Sequence, residues 1–205
     1  MKNEHQIRWV VALYSLVILG FSLVTGKSMD QNLFRWITEA TYLVIILYSV
    51  YEKWMWRWPL LKKISEAVGS PDVYGTWKGS LEFERDFDGN PGKIDFYLSI
   101  YQTLSSMMIR SFVSTSKSYS VTAKIIKGPA DKFQLVYFYR SEAPHGRRDD
   151  NRHHDGSCVL DLIGSPVKEL NGSYFTDRKG SGVIRLTKFS KKASETFKEA
   201  SDLFP

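Results

Sequence analysis

The sequence predicts a mixed membrane-α and all-β protein: two N-terminal transmembrane helices, an eight-stranded antiparallel up-and-down β-barrel and a short C-terminal helix. Three observations predict it. Two long apolar runs fill the first sixty residues, the hydrophobic period then changes to two, and eight alternating runs follow with short, turn-rich links. The expected organisation is two membrane helices within 1–60 (about 8–26 and 35–56), a linker over 61–72, a barrel over 73–190 and a helix over 191–205.

The first apolar run, Trp9 to Thr25, holds seventeen uncharged residues and reaches ~26 Å at ~1.5 Å per residue, close to the thickness of a hydrocarbon core. A cleaved signal peptide is the competing reading, because Lys2 and Arg8 form a basic start. The run is long, however, and no small-residue cleavage site follows it. The second run, about Trp36 to Met55, centres on ATYLVIILYSVY. Trp54, Trp56 and Trp58 crowd its far end as an interfacial belt, and Pro59 stops it. Lys2 and Arg8 precede the first run and Lys53, Arg57, Lys62 and Lys63 follow the second, whereas the link Gly26 to Leu33 has only Lys27, balanced by Asp30. The positive-inside rule therefore places both termini, and the barrel, in the cytoplasm. Glu39 near the outer end is a candidate for an assembly or ion-path role, but Arg35 one turn earlier favours a structural pair that snorkels to the interface. Ser15, Gly20 and Ser22 offer small packing positions without a clean GxxxG.

LKKISEAVGSPD reads as a short amphipathic helix or linker ended by Gly69 and Pro71. Beyond it, Gly75, Trp77, Gly79, Leu81 and Phe83 alternate with polar residues as a half-buried strand, and DFDGNPG makes a turn. Ile94, Phe96, Leu98 and Ile100 set the next strand. Further runs occupy about 106–115, 117–126, 132–140, 156–163, 168–177 and 181–189. Links such as Lys127-Gly128-Pro129-Ala130 and Arg178-Lys179-Gly180 are short, so consecutive strands pair antiparallel and close into a barrel that holds side chains or one small ligand. A two-sheet sandwich is the alternative. In the tail SKKASETFKEASDLF, Ala193, Phe197, Ala200 and Phe204 fall at helical spacing after a Ser190 cap, predicting a helix that plugs or flanks the barrel.

Composition narrows the function. With 205 residues, 43% apolar and 14% aromatic, the chain suffices for one core and an appendage but not for a transport pathway. The formal charge of +6 divides evenly: residues 1–70 carry 8 Lys/Arg against 5 Asp/Glu, and residues 71–205 carry 20 against 17. The second part is too evenly mixed to grip a nucleic-acid polymer. Cys158 alone excludes an internal disulfide framework and fits a reducing compartment.

Candidate binding residues are polar groups that share parity with the core. Leu170, Gly172 and Tyr174 set the inward face of the seventh strand, and Thr176 and Arg178 continue it. Arg110 keeps step with Met108 and Phe112, Gln102 with Ile100, and Tyr137 and Tyr139 with Phe133 and Leu135; Trp77 completes the set. Guanidinium forks hold phosphate and rings stack on nucleobases, so these residues suit a compact anionic ligand bearing bases. In the purely structural alternative, which spacing alone favours, one arginine closes the barrel end on Trp77 and the tyrosines are core. The loop PHGRRDDNRHHDG holds His145, His153, His154 and Asp155, but no further ligand at metal-binding spacing, and reads as a basic lid over the barrel mouth. There is no nucleophile elbow, P-loop, Rossmann fingerprint or paired catalytic carboxylate, so neither an enzyme nor a cofactor is expected.

Two apolar helices followed in order by GTWKG, IYQT, SKSYS, YFYRSEAP, HDG and LNGSYFTDRKGSG resemble the two-transmembrane β-barrel effectors of bacterial cyclic-oligonucleotide anti-phage signalling (CBASS) over nearly the whole chain. Architecture carries the resemblance more than any motif, since openings such as Gly75-Thr76-Trp77 also occur in lipocalin-like carriers. The resemblance implies that a nucleotidyltransferase switched on by phage makes a cyclic dinucleotide, which binds the cytosolic barrel as the activating ligand. Homo-oligomers then form and disrupt the bilayer of the bacterial inner membrane, an abortive infection. The implied multi-pass orientation agrees with the topology derived from charge. Two alternatives stay open: a membrane-tethered, lipocalin-like carrier or sensor of an apolar small molecule, and a metal-dependent hydrolase at the His153 loop.

Overall fold

The computed structural model describes residues 8, 11–12, 14–20, 23, 33–59, 61, 70–83, 91–128, 132–142 and 154–205. The chain divides into two compact units, Met1–Trp56 and Arg57–Pro205.

In the first unit residues 14–20 are helical, and a 21-residue helix, α1, spans Leu33–Lys53. Hydroxyls in both segments find partners, as polar groups on apolar helices require. Ser15 and Ser49 donate back to the Val11 and Ile45 carbonyls at 2.9 and 2.7 Å, and the Tyr14 and Thr41 hydroxyls pair at 3.4 Å. Leu16, Leu19, Leu23, Leu43, Ile45, Ile46 and Leu47 are exposed. Among the described residues no helix is long and apolar enough to cross a membrane. In α1 twelve uncharged residues lie between Glu39 and Glu52, a rise of ~18 Å, within a helix of 21 residues that rises ~31 Å. The expected second membrane helix ran on to residue 56, whereas α1 ends at Lys53 and a 3₁₀ turn occupies Met55–Arg57. Much of the expected first membrane helix, most of the linker and the Arg35 side chain lie outside the described residues.

The second unit is a closed barrel of β1 (Gly75–Phe83), β2 (Gly92–Gln102), β3 (Met107–Val113), β4 (Ser116–Lys127), β5 (Phe133–Glu142), β6 (His154–Ile163), β7 (Glu169–Thr176) and β8 (Ser181–Ser190). Each strand pairs antiparallel with the next in sequence, and β8 returns to β1 from Thr76↔Ser190 to Phe83↔Gly182, so the sandwich alternative is excluded. Closure leaves no sheet edge to template aggregation. It requires a bend in β1, where the register shifts between Lys78 and Gly79. At Gly79 a Cβ would strike the Arg185 carbonyl of β8, so only glycine permits this approach. One cluster fills the interior, including Trp77, Leu98, Ile100, Ile109, Leu135, Cys158, Leu160, Leu170 and Leu186, each at most 1% exposed.

Strand β3 departs from its expected parity. Ile109, Ser111 and Val113 face inward, while Met108 and Arg110 face outward and Phe112 is buried outside the barrel. Phe112 joins Tyr97 and Ala200 in a separate cluster beneath the C-terminal helix α2, Phe197–Asp202. An outer face covered by a helix carries apolar residues too, and alternation cannot say which face is inside.

The tail also differs from expectation. Ser190 closes β8 rather than capping a helix, and α2 is capped by Thr196, whose Oγ1 accepts from Glu199 N at 3.2 Å. Residues 191–195 form a strap instead. Thr76 donates its hydroxyl to Lys192 O (2.7 Å), Ser194 N donates to Ser99 Oγ (2.8 Å) and Tyr101 donates to Ser194 O (3.1 Å). Those side chains replace intrahelical partners, so the strap stays extended and α2 flanks the barrel, with Phe197 edge-on to Tyr97 at 5.5 Å. Thr196→Ala is expected to cost about 1 kcal/mol, read as a lower denaturant midpoint at unchanged slope. No shift would mean that the aromatic contacts alone hold α2.

Candidate functional site

A cavity of about 440 Å³ lies inside one end of the barrel, where β1 leads to β2, β3 to β4, β5 to β6 and β7 to β8. Its size falls within the usual range of small-ligand sites, ~300–1,000 Å³. The opposite end is sealed where the chain arrives. There Trp77 Nε1 donates to Val73 O at 3.0 Å, and the Gln102 amide accepts from Val73 N and donates to Pro71 O, both at 2.9 Å. Arg57 lies 4.4 Å over the Tyr74 ring, pairs with Asp72 at 3.4 Å and donates to the Gln102 carbonyl.

Of the residues singled out from the sequence, Tyr137, Tyr139, Tyr174, Thr176 and Arg178 line the cavity. Register brings them together: Tyr137 opposes Cys158, which opposes Tyr174, and Tyr139 opposes Gly156, which opposes Thr176. Gly156 makes this possible, because a Cβ there would stand 2.5 Å from the Tyr139 hydroxyl and 2.6 Å from the Phe175 carbonyl. The other three lie elsewhere. Trp77 and Gln102 belong to the sealed end, Trp77 resting on Phe189 at 4.6 Å rather than under an arginine. Arg110 points outward on β3, pairs with Glu195 of the strap at 3.7 Å and sits 5.4 Å over the Tyr101 ring.

The cavity also recruits residues that alternation did not single out. Ser111 opposes Ser118, Ser118 opposes Ser141 and Ser141 opposes His154, so one in-register row crosses β3 to β6, and all four line the cavity. The Ser111 and Ser118 hydroxyls are hydrogen-bonded to each other. Correct parity on β3, followed by strand pairing, is the signal that finds this row. His154, read from sequence as part of a loop, begins β6 and meets Tyr139 edge-on at 6.4 Å. Asp155 instead takes both oxygens to Arg140 at 3.0 and 3.2 Å, and hydrogen bonding from that guanidinium lowers its carboxyl below the ordinary value. Among the described residues no group of three ligands could hold a metal; His145, His153 and the rest of the expected lid lie outside them.

The floor of the cavity is electrically neutral. Burial pushes Tyr137 well above its ordinary value, raises Tyr139 and Tyr174, and pushes the Cys158 thiol up to about 12. The Tyr137 hydroxyl is directed at the Cys158 sulfur. Arg178 and His154 are the basic groups of the lining, which among the described residues contains no carboxylate, while Leu81, Phe83, Ile94, Phe96 and Ile184 supply an apolar wall. Such a chamber takes an anion that also carries flat or apolar surface.

The family described as Cap15, cyclic dinucleotide receptor domain, matches residues 68–188. CD-NTase-associated protein 15 of Escherichia albertii is 21% identical over 185 residues, covering 87% of this chain and 92% of the relative. CD-NTase-associated protein 15 of Staphylococcus schleiferi is 28% identical over 193 residues, covering 91% and 97%.

Proposed function

Since the chain belongs to the Cap15 cyclic dinucleotide receptor domain family, we propose that its barrel binds a cyclic dinucleotide in the cavity as the activating ligand of an anti-phage CBASS effector. The observation that carries this reading is the lining: Arg178 and His154 with no carboxylate among the described residues, beside three tyrosines. Guanidinium recognises phosphate by paired, charge-assisted donors, and tyrosine rings offer faces on which any base can stack. The chain acts as a receptor, not as an enzyme.

Its output is the bacterial inner membrane. In this reading the N-terminal apolar segments sit in the bilayer with both termini and the barrel cytoplasmic. Support comes from the charge asymmetry around those segments and from the exposed leucines and isoleucines of the first unit. Two helices per subunit disturb a bilayer only in number, and a ligand promotes assembly only by binding the assembled form better. Ligand binding therefore drives homo-oligomerisation, and the oligomer disrupts the membrane.

The test uses the full chain in detergent, melted with a panel of cyclic dinucleotides. At a hundredfold excess over Kd, ligand adds ~2.7 kcal/mol, a rise of about 5–10 °C for a chain of this size. Arg178→Ala is expected to abolish the rise while leaving the melting temperature without ligand nearly unchanged. Absence of any rise across the panel would overturn the reading. The apolar wall supports a second reading, a membrane-tethered carrier of an apolar small molecule; co-purified lipid in native mass spectrometry, together with no response to the panel, would favour it.

A further inference from the structure

The cavity is polar on one side and apolar on the other, and the division follows the strands. Ser111, Ser118, Ser141 and His154 form one row across β3, β4, β5 and β6. The row continues onto the next strand: Gly156 opposes Thr176 and Asp177 N donates to Asp155 O at 3.0 Å, so pairing runs past the end of β7 and brings Arg178 to the His154 side of the rim. Facing this arc, β8, β1 and β2 contribute Ile184, Leu81, Phe83, Ile94 and Phe96, whose side chains offer no hydrogen-bonding group.

Cyclic dinucleotides have a matching division, a charged ring of sugars and phosphates on one hand and two base faces on the other. Resting on the cyclic dinucleotide reading, we propose that the arc of Ser111, Ser118, Ser141, His154 and Arg178 takes the sugar–phosphate ring, while the bases lie on the tyrosines and the apolar wall. Hydroxyls donate to phosphate oxygens and accept from ribose hydroxyls, and imidazole and guanidinium answer the negative charge. Neighbouring strands lie ~4.8 Å apart, so the row spans about 14 Å from β3 to β6, longer than one phosphate group. The arc thus binds what all cyclic dinucleotides share, and the bases are left to the tyrosines and the apolar wall. His154 is the residue this assigns anew: a ring-phosphate contact rather than a metal ligand.

The test compares full-length wild type, His154→Gln and Ser141→Ala in detergent, each first melted without ligand to confirm folding. The probes are the cyclic dinucleotide giving the largest thermal shift and its bis-phosphorothioate analogue. Each variant is expected to weaken the parent ligand, His154→Gln by about tenfold. Sulfur substitution is expected to weaken wild-type binding, and that penalty to shrink at least about threefold in His154→Gln, because both changes touch one contact. Additive penalties, or variants binding within about twofold of wild type, would overturn the arc while leaving the cavity reading intact. Failure of wild type to bind any probe would overturn that reading itself, and the arc with it.

Discussion

Raising the pH from about 8 to about 11.5 is expected to unfold the barrel cooperatively, because its interior holds several protons that the unfolded chain gives up first. Burial raises Tyr137, Tyr139 and Tyr174 above their ordinary value of 10.0 and carries the Cys158 thiol from 9.0 to about 12. Below the unfolded values both states keep these protons and stability is complete. As the pH climbs through 9 and 10 the unfolded chain ionises while the folded chain does not, so stability falls with rising pH. For the thiol alone, the change from 9.0 to about 12 corresponds to roughly 4 kcal/mol at ~1.4 kcal/mol per pH unit. Circular dichroism should lose its barrel signal in the same pH range in which tyrosinate absorbance rises. Tyrosines such as Tyr42 and Tyr119 are exposed and report nothing on the interior, so the contrary result is full ionisation of all eleven tyrosines with the barrel signal intact. Tyr137→Phe, which removes one such proton and keeps the ring, should move the midpoint to higher pH.

Trp77→Ala is expected to cost about 3–5 kcal/mol, a fall in melting temperature on the order of 10 °C. The ring is 1% exposed, rests on Phe189 and donates its only polar hydrogen to Val73 O. Truncation therefore opens a cavity and leaves a buried carbonyl without its partner. Affinity for cyclic dinucleotide, measured where the variant is still folded, should match wild type, since Trp77 lies at the sealed end and not on the cavity wall. Weakened binding without lost stability would return Trp77 to the ligand site.

Legibility differed from strand to strand. Alternation located β1, β2 and β7 to within a few residues, and on β7 its inward series ran unbroken through Tyr174 and Thr176 to Arg178, all three on the cavity wall. It failed on β3, where α2 covers the outer face and Phe112 is as apolar as an inward residue. Serines read as solvent-facing on spacing alone, so Ser111, Ser118 and Ser141 escaped notice although all three line the cavity. In the tail, Ser190 and Thr196 are both competent caps. The choice fell to Thr196 because Thr76, Ser99 and Tyr101 occupy the backbone of residues 192–194.

By itself the sequence determined the number of strands, their order and their antiparallel pairing with the next in line, because period-two hydrophobicity and short turns are local properties that each segment carries alone; that β8 closes onto β1 instead of leaving two packed sheets came only with the tertiary structure. Tertiary structure decided which end of the barrel is sealed, which face of β3 looks inward, and that three serines, a histidine and an arginine from different strands share one arc. Those outcomes depend on cross-strand register and on what covers each outer face, and both are set by partners distant in the chain.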